Sequence, residues 1–177
     1  MYKIIVSLVL IILLGYGCDS AEPTIDDKSD EVTLKNDNLG FSFSKGSAIS
    51  VPDTINHLIP DIIALVHLDV NNTVLGVFFG ADSLRPAFNL IKEFPNIDSA
   101  KTFFYNLKEV PDSNYQNLAL PAEAYQIWAV KTHDNKYGMI LVLYTNAYEY
   151  SPSPGFRSYY IEATFKWKYQ SNGSRYF

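Results

Sequence analysis

From Val32 onward, apolar and polar residues alternate along most of this chain. Val32 and Leu34 alternate with Thr33 and Lys35 before the Asn36-Asp37-Asn38 turn, and Phe41 and Phe43 alternate with Ser42 and Ser44. A period of two is the mark of a strand with one buried face. Lys45-Gly46 turns the chain into Ala48–Val51, so this region reads as a hairpin. Pro52 to Pro60, including His57, reads as irregular. Asp61–Val70 is a stronger strand, with Ile62, Ala64, Val66, Leu68 and Val70 on one face and Asp61, Ile63, Leu65, His67 and Asp69 on the other. Asn71-Asn72 turns it into a partner over Thr73–Phe79, because Asn tolerates left-handed backbone angles. Gly80–Ser83 loops out, and Ala87–Phe94 is a further strand closed by Pro95.

The period changes once. Ala100, Phe103, Phe104 and Leu107 recur at helical spacing, so residues 99–109 form one helix with a single apolar stripe. Asp98 is placed to cap it, and Pro111 ends it. A phenylalanine stripe of this kind is a packing surface for a sheet. Residues 114–123 read as a loop with a short strand. Tyr125–Thr132 and Tyr137–Thr145 then form a hairpin around His133–Lys136. Tyr159–Tyr169 is the clearest strand, with Tyr159, Ile161, Ala163, Phe165, Trp167 and Tyr169 on one face. An Asn172-Gly173 turn and the aromatic end Tyr176-Phe177 should tuck back on the body. Eight or nine strands, one helix and no β-α-β alternation predict a mainly β (α+β) domain. It is a single antiparallel sheet or sandwich with one amphipathic helix packed on it.

The first 31 residues follow other rules. Lys3 precedes an aliphatic run from Ile4 to Leu14, which has the length of a secretory h-region and is too short to span a bilayer. Gly15-Tyr16-Gly17-Cys18 follows, and these residues resemble the lipobox of bacterial lipoproteins. That resemblance implies cleavage before Cys18, acylation of its sulfur and amine, and a membrane anchor stabilised by more than one chain. Cys18 is the sole cysteine, so it has no internal disulfide partner. Residues 1–17 are therefore read as a lipoprotein signal peptide, 18–31 as a lipidated acidic tether and 32–177 as the β-rich globular domain.

Charge refines this division. The tether carries Asp19, Glu22, Asp26, Asp27, Asp30 and Glu31 against Lys28 alone. Low hydrophobicity and like charge keep such a segment open, and the thirteen residues from Asp19 to Glu31 reach at most about 45 Å. Its acids beside Cys18 also resemble sorting signals of some Gram-negative surface lipoproteins. The remaining chain is close to neutral, with no basic stripe to meet phosphates, so no nucleic-acid partner is expected.

Motifs for catalysis are sparse. With Cys18 assigned to lipid, no thiol nucleophile or zinc-thiolate set is left, and neither His-Glu-x-x-His, Gly-x-Ser-x-Gly nor a phosphate-binding glycine loop occurs. No metal site, cofactor or catalytic residue is assigned. His67 and Asp69 share a strand face and could seat a metal or a general base, but read first as a polar patch. Asp61 reads as a strand-edge charge and His133 as a solvated turn residue. The one candidate binding surface is aromatic. Tyr144, Tyr148, Tyr150, Phe156, Tyr159 and Tyr160 surround Ser151-Pro152-Ser153-Pro154-Gly155, with Arg157 among them. Tyrosine combines an apolar face with a hydroxyl and recurs in recognition surfaces; the alternative is that half of these rings fill the core.

Two segments carry a further resemblance. Lys131–Tyr137 and Thr164–Ser174 are similar to the tail of several β-rich bacterial lipoproteins, and haem-capturing HmuY-like lipoproteins carry a comparable last hairpin. That family implies haem held by side chains, commonly a histidine pair; His57, His67 and His133 do not match such a pair, so no ligand is carried over. The leading expectation is a non-enzymatic, lipid-anchored cell-envelope protein, outer-membrane and periplasmic or surface-facing. It would bind a protein or small molecule through the aromatic loop. A haem or small-ligand scavenger and an envelope hydrolase are the alternatives.

Overall fold

The computed structural model describes residues 31–177. The signal, Cys18 and most of the tether lie outside the described residues. Ten strands form two antiparallel sheets. The first is ordered β1-β10-β9-β8-β6, from Glu31–Lys35 (β1), Ser158–Gln170 (β10), Tyr137–Tyr150 (β9), Gln126–Lys131 (β8) and Phe88–Glu93 (β6). The second is ordered β3-β2-β4-β5-β7, from Ser47–Ile49 (β3), Gly40–Ser42 (β2), Ile62–Leu68 (β4), Val74–Gly80 (β5) and Leu118–Ala119 (β7). The domain is mainly β, with one α-helix, as the alternation predicts.

The two sheets face each other over a phenylalanine-rich core. Phe41, Phe43, Phe79, Phe165 and Trp167 interlock edge to face, with centroids 5.0 Å apart for Phe41–Phe43 and 5.2 Å for Phe41–Phe165. Edge-on contact suits the ring quadrupole and adds to the area term. The first sheet is also covered on its outer face, by helix α1 (Ile97–Asn106) and the C-terminus. Ala100 and Phe104 of α1 meet Ile127, Ala129, Met139 and Leu141 there. Burial on both faces explains why Ile127–Val130 and Met139–Val142 are continuous apolar runs and not alternating ones.

Asn96 caps α1 in place of Asp98. It has extended backbone angles, and its side chain accepts from Ser99 N–H at 2.9 Å, as an N-cap must. Asp98 lies inside the first turn. The helix ends at Asn106, and Lys168 of β10 donates to the terminal carbonyls of Phe104 and Tyr105 at 3.0 and 3.3 Å. A cation here satisfies carbonyls that have no partner in the helix. The C-terminus docks as expected: Phe177 N–H donates to the Lys108 carbonyl at 2.8 Å, and its ring is buried. Val70 departs from the predicted strand face. β4 stops at Leu68, because the Asp69 carboxylate accepts from Asn71 and Thr73 N–H and closes a turn that leaves Val70 in solvent.

Candidate functional site: the β9–β10 arm and a buried carboxylate

The residues read as an aromatic loop lie mostly on strands. β9 and β10 form one hairpin that outruns its neighbours. Among the described residues, β8 pairs with β9 only up to Leu141, and β1 pairs with β10 only from Glu162. β1 stays beside β10 as far as Glu162, which lies opposite Asn146, so only Ala147–Tyr150 with Ser158–Ile161 has no third strand among the described residues, a run of about 10 Å at strand rise. The end of the hairpin is therefore a two-stranded arm, a form that is marginal in water without side-chain support.

The support comes from the tyrosines. A bulge between Thr164 and Phe165 sets Tyr144 opposite Thr164 and leaves Leu143 as the extra residue. Ile161, Ala163 and Phe165 face the core, so Thr164, Glu162 and Tyr160 face outward, and their partners Tyr144, Asn146 and Tyr148 face outward with them. Tyr148 stacks on Tyr160 across the strands, with centroids 4.9 Å apart and planes at 22°. Tyr150 meets Tyr148 edge-on at 6.5 Å. The Tyr160 hydroxyl donates to Glu162 Oε2 at 3.0 Å, and this bond to a carboxylate holds the phenol above the usual tyrosine range. Tyr159 falls on the opposite face with Ile161.

The tip is held by its own hydrogen bonds. The Ser151 hydroxyl is 2.8 Å from the carbonyls of both Ser153 and Phe156, and Phe156 N–H donates to the Ser153 carbonyl. Gly155 takes φ +82°, which suits glycine. Arg157 pairs with Glu149 at 3.3 Å on the surface. Tyr144, Tyr148, Tyr150 and Phe156 remain 47, 48, 44 and 68 % exposed. The structure brings Tyr148, Tyr150 and Tyr160 together, sets Tyr144, Phe156 and Arg157 elsewhere on the same hairpin, and puts Tyr159 on its other face. Tyr144, Tyr148, Tyr150 and Phe156 are thereby presented to solvent and not folded into the core.

A second polar centre was misread in the sequence. Asp61 is not a strand-edge charge: it is 1 % exposed, with Oδ2 accepting from Phe43 N–H at 2.9 Å and Oδ1 from His133 N–H at 3.1 Å. The His133 ring is also not free, since its Nδ1 lies 3.1 Å from Asp61 Oδ1. The pair joins the start of β4 in one sheet to the β8–β9 turn of the other. Arg85 lies close by, its Nη1 donating to the Lys131 carbonyl. Burial pulls its guanidinium below the usual value, while Asp61, Asp82 and Asp134 oppose that pull. Asp61 and His133 are separated by 72 positions, and no local spacing links them.

His67 and Asp69 do not act together. The His67 ring is edge-on to Phe78 at 6.4 Å, and the Asp69 carboxylate is held by its turn. His57 lies in the irregular segment with φ +55°, away from any strand. Among the described residues, no three His, Cys, Asp or Glu side chains converge as a metal set, and no helix is long and apolar enough to cross a membrane. Comparison with known proteins found no matching family model, curated protein or solved structure.

Proposed function

We propose that this chain is a lipid-anchored protein of the bacterial cell envelope that works as a non-enzymatic binding module, and that the β9–β10 arm meets its partner. The observation that carries this reading is the arm itself. It extends beyond both flanking strands, its tip is held in one shape by local hydrogen bonds, and its tyrosines stand out in solvent. A preorganised tip loses little entropy on association, and tyrosine supplies contact area with only two side-chain torsions to fix. The resemblance of Gly15–Cys18 to a lipobox supports the anchor. The acidic spacer would then hold the arm off the bilayer surface.

The arm is tested by placing a photo-crosslinking residue at Tyr148, Tyr150 or Phe156 of the intact protein in its own envelope. Thr102, exposed on α1, is the control. A discrete adduct from the arm positions and none from Thr102 is the expected outcome. Equal adducts from both, or none from the arm, would remove the arm from recognition. Mass spectrometry of Cys18 tests the anchor separately, and an unmodified thiol would remove it.

A further inference from the structure

Beneath the arm, the two sheets part around a crevice of 280 Å³. Val74–Val77 of β5 form one wall, Thr145–Ala147 of β9 the other, and Pro121–Glu123 the end. It lies at the lower limit of ligand-pocket sizes, with room for a molecule of amino-acid or diamine size.

The end wall is unusually well fastened. Ala122 N–H donates to the Val77 carbonyl at 3.0 Å, and the Thr145 hydroxyl donates to the Ala122 carbonyl at 3.1 Å. Glu123 N–H donates to Gln126 Oε1 at 3.0 Å, and Tyr125 N–H to the Val142 carbonyl at 2.8 Å. Gln126 is itself buried and also accepts from the Trp128 indole at 3.0 Å. The wall is therefore tied to both sheets through its backbone, while the Glu123 side chain stays exposed.

The β5 wall is built open. A bulge after His67 leaves Leu75 as an extra residue, 57 % exposed, beside Gly76 at φ +146°. A Cβ at Gly76 would meet nothing within 4 Å, so the space above that backbone is empty. Glu123 is the one charged residue lining the crevice, and it makes no ion pair among the described residues. The site thus offers one carboxylate, the Thr145 hydroxyl oxygen, and the apolar flanks of Leu75, Val77, Pro121 and Ala147.

We infer that this crevice binds a small organic cation, a primary amine with a short apolar stem, with Glu123 as its counter-ion. The ammonium meets the Glu123 carboxylate at the end wall, and the stem lies along Leu75 and Val77. An anion has no basic group to meet there. This site shares Ala147 with the base of the arm but none of the tyrosines of its tip, so it stands or falls independently of recognition by the arm.

The test is an amide NMR titration of the full chain with putrescine, with 1,4-butanediol as the neutral isostere and succinate as the anionic counterpart. Saturating shifts with putrescine should be confined to the amides of residues 74–77, 122–123 and 145–147. Glu123→Gln should weaken that binding about tenfold or more, the loss of one charge-assisted contact. Leu75→Lys, which puts a competing ammonium on an exposed wall position, should abolish it. The inference is overturned if putrescine leaves these amides unmoved, if its shifts spread over other acidic surface without saturating, if butanediol or succinate binds as tightly, or if Glu123→Gln binds putrescine unchanged. Spectra of both variants away from the crevice report that the fold is intact.

Discussion

Removing the Asp61 carboxylate should cost more stability than any other single polar change in the domain. Three donors converge on it: Phe43 N–H, His133 N–H and the His133 ring. At 1 % exposure, water cannot replace it. Asp61→Ala strands the buried Phe43 N–H and takes a counter-charge from Arg85. Breaking a buried charged pair from one side costs about 3–5 kcal/mol, and that is the loss expected. Asp61→Asn keeps an accepting oxygen but turns an N–H₂ toward a donor, so about 1–3 kcal/mol is expected from hydrogen-bond values. His133→Ala loses only the ring contact, since the backbone bond persists, and that ring is 40 % exposed; about 1 kcal/mol follows. Urea unfolding followed by the buried Trp128 and Trp167 reads all three, and the double variant Asp61→Ala/His133→Ala gives the coupling. A loss below about 1 kcal/mol for Asp61→Ala, or equal losses for Asp61→Ala and His133→Ala, would refute the assignment of the carboxylate as the clasp between sheets.

Three further changes test other parts of the fold. Gly138→Ala puts a methyl into the Phe43 ring, so overpacking should cost about 1–3 kcal/mol and lower Tm by about 2–4 °C for each kcal/mol; adding Phe43→Leu should recover part of the loss in the same melt. Asn96→Ala should destabilise by about 1 kcal/mol in urea, against a few tenths for Asp98→Ala, because only Asn96 accepts from a free helix N–H. For Asp134, burial pushes the carboxyl up, but the Thr132 hydroxyl and Lys136 outweigh it and hold it below 3.8. A group lowered on folding stabilises above its unfolded value, and that share is lost as pH falls below 3.8. Asp134→Asn should therefore lower stability slightly above about pH 5, the side chain being partly solvated, and leave it unchanged at acid pH, so that the two stability–pH curves converge as pH falls.

The strands were legible because their burial is one-sided. Ile161, Ala163, Phe165 and Trp167 alternate with half-wet residues, and the same residues face the second sheet. The helix stripe was legible for the same reason: Ala100 and Phe104 are buried, and Phe103 and Leu107 pack beside them. What stayed hidden depends on contacts between distant residues or on single-residue offsets. The hold of Asp61 on His133 spans two sheets, and nothing near either residue announces it. The bulge at Leu143 reverses the facing of everything after it on β9, yet it falls in the apolar run Leu141-Val142-Leu143-Tyr144, where no residue marks it. The cap moved two residues because Asn96 and Asp98 have equal intrinsic claims, and it is Asn96 that takes the extended backbone angles of an N-cap. The crevice is a product of Gly76 and Glu123, which share no motif.

The aromatic residues divide by hydroxyl group. The largest fully buried rings are Phe41, Phe43, Phe79, Phe88, Phe104 and Phe165, and no tyrosine is buried among the described residues. A buried phenol needs a partner for its O–H, and a core of apolar strands offers few. Tyrosine is thus driven to positions where one edge stays wet. On the arm this has two consequences at once. The Tyr148–Tyr160 pair adds cross-strand stacking that a lone ribbon needs. The other ring edges and the Phe156 tip remain available. If the arm binds as proposed, its stability and its recognition draw on different rings: the stacked Tyr148–Tyr160 pair sets the shape, and Phe156 and the open edge of Tyr150 can be covered without unstacking it. The aromatic residues continue past Tyr148 into a tip that the Ser151 hydroxyl and its own backbone already hold.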